Sequence, residues 1–346
     1  MEKSTLSDTL ARQRPIPGVR VLDERLRRLS PGDQLIVGVC ALLMMAGAFV
    51  ALAQVSRHFM VEVPAHGGTH VEGVVGTPRF INPLLAISDA DQSLTTLTYA
   101  GLLKQNSDGT LAPDLAQGYT VSPDGRTYTV IIRPDALFQD GRAVTPEDVV
   151  FTVEMAQSPS IASPARANWD GVQVAATDAR TVTFTLKSPY APFADNLTLG
   201  ILPKHLWEKV TPEEFPFSSL NLAPVGAGPY SVNSVKKDKS GVPTEIALKA
   251  FTRAHPVPYI TTVTFRFYPD TDALNAALTN GDVRAANSIP PTAPRPLPAP
   301  VSERIFAVFL NQNQNAIFAD PAVRKALDTA LDKNALIDTI LNGYGA

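Results

Sequence analysis

The sequence predicts an α/β chain with mixed sheets, preceded by one helix long enough to span a membrane. Three observations carry this. Apolar residues alternate in three pairs of segments separated by turn residues, the pattern of half-buried β-hairpins. Isolated helical stripes with recognisable caps stand between those pairs. The 346 residues also include 30 prolines, which suits a loop-rich mixed chain better than a helical bundle.

The formal net charge of −3 leaves no basic footprint, so no nucleic-acid partner is expected. The lone Cys40 excludes an internal disulfide and a cysteine-based zinc site. Residues 1–34 are polar and of mixed charge, and read as a loosely ordered cytoplasmic tail. From Leu35 to Ala53 every residue is apolar or glycine, about the length one bilayer crossing needs. Arg20, Arg25, Arg27 and Arg28 precede the run, against Arg57 and His58 after it. The positive-inside rule then assigns residues 35–54 as a single-pass anchor in the cell membrane, with the N-terminus cytoplasmic and the globular part outside. Ala51-Leu52-Ala53 would also suit signal-peptidase cleavage, but the apolar run and the segment before it are both long for a signal. Lipid attachment at Cys40 is disfavoured by Val39, which stands where a small residue is needed.

Residues 55–66 read as a linker. A first strand follows at His70–Gly76, then an irregular proline-bearing stretch, Thr77 to Leu84. A helix is expected over Leu94–Leu103, with Leu94, Leu97 and Leu102 on its apolar side. The first hairpin pairs Tyr119 and Val121 with Tyr128, Val130 and Ile132 across Ser122–Arg126. The second pairs Val172–Val174 with Thr181–Leu186, and the third Ser231–Val235 with Glu245–Ala250. A strand at Val263–Phe267 precedes a helix from Asp272 to Gly281. Pro290, Pro291, Pro294, Pro296, Pro298 and Pro300 mark a stiff surface loop rather than an adaptor ligand. A strand at Arg304–Leu310 comes next. One final helix is capped by Asp320, opens at Pro321 and ends near Gly343. Its stripe of Val323, Ala326, Leu327, Ala330 and Leu331, continued by Leu336, Ile337, Ile340 and Leu341, needs a partner.

The stretch Phe138 to Phe151 is the most distinctive. Asp140-Gly141 supplies a tight turn, Thr145 an N-cap, Pro146 the first helical position, and Glu147 and Asp148 acidic charge at the helix's positive end. By composition this is an ordinary turn-to-helix junction. In residue order it resembles a signature of the family 5 extracellular solute-binding proteins, the oligopeptide-, dipeptide- and nickel-binding receptors of ABC importers. Further segments resemble that family in order: Thr77-Pro78 with Asn82-Pro83-Leu84, Tyr99 to Leu103, Asp108-Gly109 with Pro113 to Ala116, and Ser122 to Thr129. Ile201 to Leu206, Pro224 to Tyr230, Leu310-Asn311 and Asp320 to Leu327 continue the series. Ala143 and Pro146 depart from the signature, as do Ala227 for threonine and Arg284 for an acidic residue.

The resemblance implies a periplasmic-binding-protein-like clamshell of type II, in its large three-subdomain form. Residues 67–303 would form the first lobe, with a peripheral subdomain at about 104–200. Residues 304–346 would supply a crossover strand and the start of the second lobe, so the chain reads as an N-terminal portion. The Phe138–Phe151 stretch would then lie in the peripheral subdomain, away from residues that touch ligand. Extended peptides would bind between the lobes through backbone hydrogen bonds and pass to the ABC permease subunits. The segments facing that cleft would be Pro78, Phe80 and Asn82, Tyr99, Gly226, Gly228 and Tyr230, and Asn311. Each also has a structural reading, as a turn former or a brace of the hinge.

No catalytic constellation, cofactor motif or phosphate loop appears, so no enzyme is expected. His66 and His70 stand at helical spacing, but Gly67-Gly68 between them argue against a helix and a metal site. His205 reads as a structural hydrogen-bonder. The alternative to transport is a membrane-anchored extracytoplasmic interaction or assembly module; an anchored hydrolase has no motif behind it.

Overall fold

The computed structural model describes residues 29–59, 64–286 and 307–340, and the chain divides into two units, Met1–Pro64 and Ala65–Ala346. In the first unit a helix, α1, runs from Pro31 to Phe59. It begins before the apolar run, inside the expected tail, because Ser30 accepts the Asp33 amide at 3.3 Å and proline suits the first turn. It also continues past the expected start of the linker, since no glycine or proline interrupts Gln54 to Phe59. Within Pro31–Val55 a window of 18 residues has a mean hydropathy of 2.7 and none of it is buried, so by length and composition the helix can cross a membrane. The rest of the expected tail and linker, 1–28 and 60–63, lies outside the described residues.

The second unit is built on two sheets. The larger has the order β11-β1-β10-β9-β8, with β1 at Thr69–Val75, β8 at Tyr230–Lys237, β9 at Pro243–Ala250, β10 at Thr262–Tyr268 and β11 at Ala285–Ala286. β1 pairs in parallel with β10 and β11, whereas β8, β9 and β10 are antiparallel neighbours, so the sheet is mixed as expected. The smaller sheet, β4-β5-β7-β6, is antiparallel throughout: Ala116–Val121, Thr127–Ile132, Thr181–Thr185 and Gln173–Ala176. All three expected hairpins are present. A short ribbon of Leu103–Gln105 (β2) and Leu111–Pro113 (β3) leads into the smaller sheet.

Two helices position the rest. α2, Asp89–Thr98, is capped by Ser88, and α3, Pro146–Gln157, by Thr145. α2 starts earlier and ends earlier than the sequence suggests. The Thr98 carbonyl accepts from Gly228 N–H and from the Gln139 side chain rather than from another helical turn. Tyr99 therefore turns extended, and Leu102 and Leu103 are buried as extended chain. At α3, Thr145 N–H and Oγ both donate to Asp148 at 2.8 Å, and Asp148 also accepts the distant Lys204 amide at 2.8 Å. The core of the smaller sheet is aromatic: Trp169, Phe184 and Phe193 meet at 5.7–5.9 Å between ring centres. One continuous apolar cluster joins these to Val74, Phe265 and Ile246 of the larger sheet.

Past 286 the expectations fare less well. Ala307–Leu310 form no strand among the described residues, and Val308 and Phe309 are exposed; Arg304–Phe306 lie outside them. The single terminal helix is two, Pro321–Ala330 and Lys333–Ile340, because Asp332 accepts the Ala335 amide and caps a new start. Neither helix buries a residue, so the apolar stripe stays uncovered. Leu341 and Gly343 lie outside the described residues.

Two carboxylates tie distant segments with charge. Glu245 meets Lys236 at 2.6 Å and Arg266 at 3.1 Å, and these bonds, Lys236 foremost, hold its carboxyl below the usual range despite partial burial. Burial pushes Asp140 up, but the Arg142 amide and the His205 ring at 2.7 Å outweigh it and leave it depressed. A depressed carboxyl means the unfolded chain takes up its proton first as pH falls. The stability these groups lend is complete above the ordinary carboxylate range near pH 4 and lost below it. Urea midpoints measured from pH 7 to 3 should therefore fall, and Glu245→Gln with Asp140→Asn should flatten that fall.

Candidate functional site

Most of the residues singled out from sequence fall by the two ends of α2, those of the Thr77–Asn82 loop by its first turn and Tyr99 with the Gly226–Tyr230 segment by its last. After β1, the backbone of Thr77–Asn82 runs over this helix. The Asp91 carboxylate accepts the amides of Arg79 and Phe80 at 2.7 and 2.8 Å and the Ser88 hydroxyl at 2.7 Å, so one acid shapes both the loop and the helix start. Asn82 is fully buried. It donates to the Asn221 carboxamide at 3.1 Å and accepts the Leu84 amide, while Asn221 donates to the Phe215 carbonyl at 2.7 Å. Pro78 is buried, Phe80 is half-buried and Arg79 is exposed, with its guanidinium 5.3 Å from the Phe80 ring centre.

The Gly226–Tyr230 segment packs against the C-terminal end of α2. A Cβ on Gly226 would stand 2.1 Å from the Thr98 carbonyl oxygen, and one on Gly228 2.5 Å from the Thr98 carbonyl carbon, so only glycine allows the approach. Gln139 fastens the joint. Its Nε2 lies 3.0, 3.2 and 2.7 Å from the carbonyls of Thr98, Gly228 and Tyr230. Its Oε1 accepts Gly226 N–H at 3.1 Å, and its own amide donates to the Gly226 carbonyl at 2.8 Å. Tyr230 is buried and donates through its hydroxyl to the Ile260 carbonyl at 3.0 Å.

Tyr99 is buried beside these glycines. Its hydroxyl, like those of Thr95 and Thr98, has no hydrogen-bond partner among the described residues, and burial pushes its pKa up. Asn311 lies apart: it is exposed, and its side chain accepts the amides of Asn313 and Gln314. Among the described residues no hydrogen bond joins it to the other seven. His205 has the structural role expected of it, against Asp140. His66 stacks on Tyr259, and no metal-binding cluster occurs among the described residues.

Gln139, the second residue of the Phe138–Phe151 stretch, is bonded to Gly226, one of the candidate residues. A glutamine flanked by the turn residues Asp140-Gly141 carries no sequence signal for that reach of about ninety residues. Asp91 was legible only as the partner of a Ser88 cap, and Asn221 not at all.

The model of the bacterial extracellular solute-binding proteins, family 5 Middle, matches residues 110–346. The chain belongs to this family. It is 32% identical over 299 residues to Protein XP55 of Streptomyces lividans, covering 81% of this chain and 52% of that protein. Among solved structures it resembles the oligopeptide-binding protein AppA of Bacillus subtilis in complex with a nonapeptide. There the TM-score is 0.66 at 28% identity, covering 82% of this chain and 57% of the other. It also resembles NikZ of Campylobacter jejuni in complex with Ni(L-His), with a TM-score of 0.61 at 27% identity, covering 80% and 56%. The chain thus spans about half the length of the curated relatives it matches, 52% and 53% of the first two.

Three substitutions at two positions separate support from contact. Gln139→Leu leaves buried amide and carbonyl groups without partners and should cost at least about 2 kcal/mol, read as a melting point lower by roughly 4–8 °C. Gln139→Glu, which faces a carboxylate to the same carbonyls, should be no better. Tyr99→Phe removes a buried hydroxyl without a partner, so thermal unfolding should show equal or higher stability, by up to about 1 kcal/mol. A clear loss would mean that the hydroxyl has a structural partner.

Proposed function

We propose that this chain is the solute-receiving part of an ABC importer's binding protein, taking extended peptides and delivering them to the membrane permease. The observation that carries the reading is the family match over residues 110–346, joined to two loops held by hydrogen bonds to α2, one at its first turn and one at its last. Peptide as the solute class is supported by the likeness to AppA, whose structure holds a nonapeptide. Nickel chelates are the competing solute, on the likeness to NikZ.

Burial divides the candidate residues into two roles. Asn82, Tyr99, Gly226, Gly228 and Tyr230 are buried, as is Pro78, and they brace the lobe. Phe80 and Arg79, with Asn311, present surface and are the side chains proposed to meet solute. Backbone groups along Thr77–Asn82 would add the peptide as a strand, which tolerates varied side chains. Solute bound between lobes stabilises the closed form by contacts that only that form makes. Residues 67–303 are assigned to the first lobe, about 104–200 to its peripheral subdomain, and 304–346 to the start of the second.

The apolar helix α1 is proposed to stay uncleaved as a single-pass anchor, N-terminus inside, supported by the arginines that precede it. Tethering keeps the receptor at high local concentration beside its permease.

The test is a binding titration of the full chain in lipid nanodiscs with peptides of two to nine residues and with Ni(L-His). Saturable peptide binding is expected, raising stability by about 2.7 kcal/mol at a hundredfold excess over Kd. Arg79→Ala, at an exposed position, should weaken it without lowering the unliganded melting point. Binding of Ni(L-His) alone would reassign the solute, and binding of neither would overturn the receptor reading.

A further inference from the structure

The loop that packs its glycines on Thr98 turns its alternate residues the other way. Ala227 and Pro229 wall a cavity of about 290 Å³, closed on the far side by the segment Phe251–Tyr259. That volume is at the small end of the range typical of small-molecule sites, roughly 300–1,000 Å³. Leu115, Leu137, Phe251 and Val257 give it apolar walls.

Its charges are unevenly matched. Three cationic side chains, Lys104, Arg133 and Arg253, line it with two carboxylates, Asp114 and Asp135. Asp135 is engaged by His255 at 3.2 Å and stands 3.9 Å from Arg133 Nε. That nitrogen is buried and has no hydrogen-bond partner among the described residues. Burial pushes the Asp114 carboxyl up, against the pull of Lys104 and Arg133. A guanidinium in an apolar wall whose Nε has no hydrogen-bond partner among the described residues is a bidentate receptor for a planar oxyanion.

We propose that this cavity is a binding site for a small organic carboxylate with an apolar body, its carboxylate on Arg133 and its body among Leu137, Phe251 and Val257. The inference is independent of the peptide reading. Occupancy acts on the candidate cleft from behind, because Phe251 N–H donates to the Pro229 carbonyl at 2.8 Å and so links the cavity's closing segment to the Gly226–Tyr230 loop.

The test titrates the full chain in nanodiscs with phenylacetate, phenylacetamide and inorganic phosphate, followed by ligand-observed NMR. Phenylacetate should bind at least 10-fold more tightly than the amide. Arg133→Gln should bring the acid down to the amide, and Val257→Trp, which fills the cavity from an exposed loop position, should abolish both. Equal binding of acid and amide, or unchanged phenylacetate affinity in either variant, overturns the proposal. So does full competition by phosphate with Val257→Trp still binding, which marks a surface charge effect.

Discussion

The Thr98 carbonyl at the end of α2 accepts from two donors that come from far away in the chain, Gly228 N–H at 2.8 Å and Gln139 Nε2 at 3.0 Å. Three segments meet there: the helix end, the glycine loop, and the turn that opens the Phe138–Phe151 stretch. The meeting is only possible because Gly226 and Gly228 lack a Cβ, and it is only stable because the glutamine satisfies donors and acceptors that such close packing removes from water. Stopping the helix at Thr98 sends Tyr99–Leu103 off as extended chain, and that chain carries Leu102 and Leu103 into the core and starts the β2–β3 ribbon. The Gln139 carboxamide thus joins the segment leading to the smaller sheet to the loop opening β8 of the larger one, beside the apolar cluster that the two sheets share.

A joint of this kind makes the surface proposed to face solute a fixed one. The Thr77–Asn82 loop is held by Asp91 on one side and the buried Asn82–Asn221 pair on the other. Polar bonds in a buried setting are directional and costly to break, so the loop has little conformational freedom to lose when a solute arrives. Only Arg79 and the edge of Phe80 remain for adjustable contacts. That division, rigid backbone with few variable side chains, suits recognition of many related solutes by main-chain groups.

Local chemistry made most elements legible from sequence. Alternation gave all three hairpins, caps at Thr145 and Asp320 gave two helix starts, and the helix expected from Asp272 begins one residue earlier, at Thr271. The errors share a cause: each was decided by a contact remote in sequence or by a cap of low contrast. α2 ends where a loop some 130 residues later takes its carbonyl. The terminal helix breaks at Asp332, whose capping role looks no different from any acid on a polar face. Of the site, the residue types were visible but their roles were not. Asn82 and Tyr99 read equally as solute contacts or internal braces until burial separated them, and Gln139 needed the fold to be seen at all.

The acids of this chain show the same economy. Asp91, Asp148 and Asp270 each accept backbone amides at a helix start, and Asp108, Asp124, Asp178 and Asp238 do so in turns. Asp140 and Glu245 are held by cationic or imidazole partners that pin separate segments together. A carboxylate in such a role is kept ionised by its donors, as the depressed Asp108, Asp124 and Asp178 show, and is poorly placed to exchange a proton. Asp114 departs from this use, as Glu72 does, pushed up by burial rather than down by donors. With Asp135 it lines the cavity beside Arg133, whose Nε has no hydrogen-bond partner among the described residues, so the site couples two differently held acids to one guanidinium.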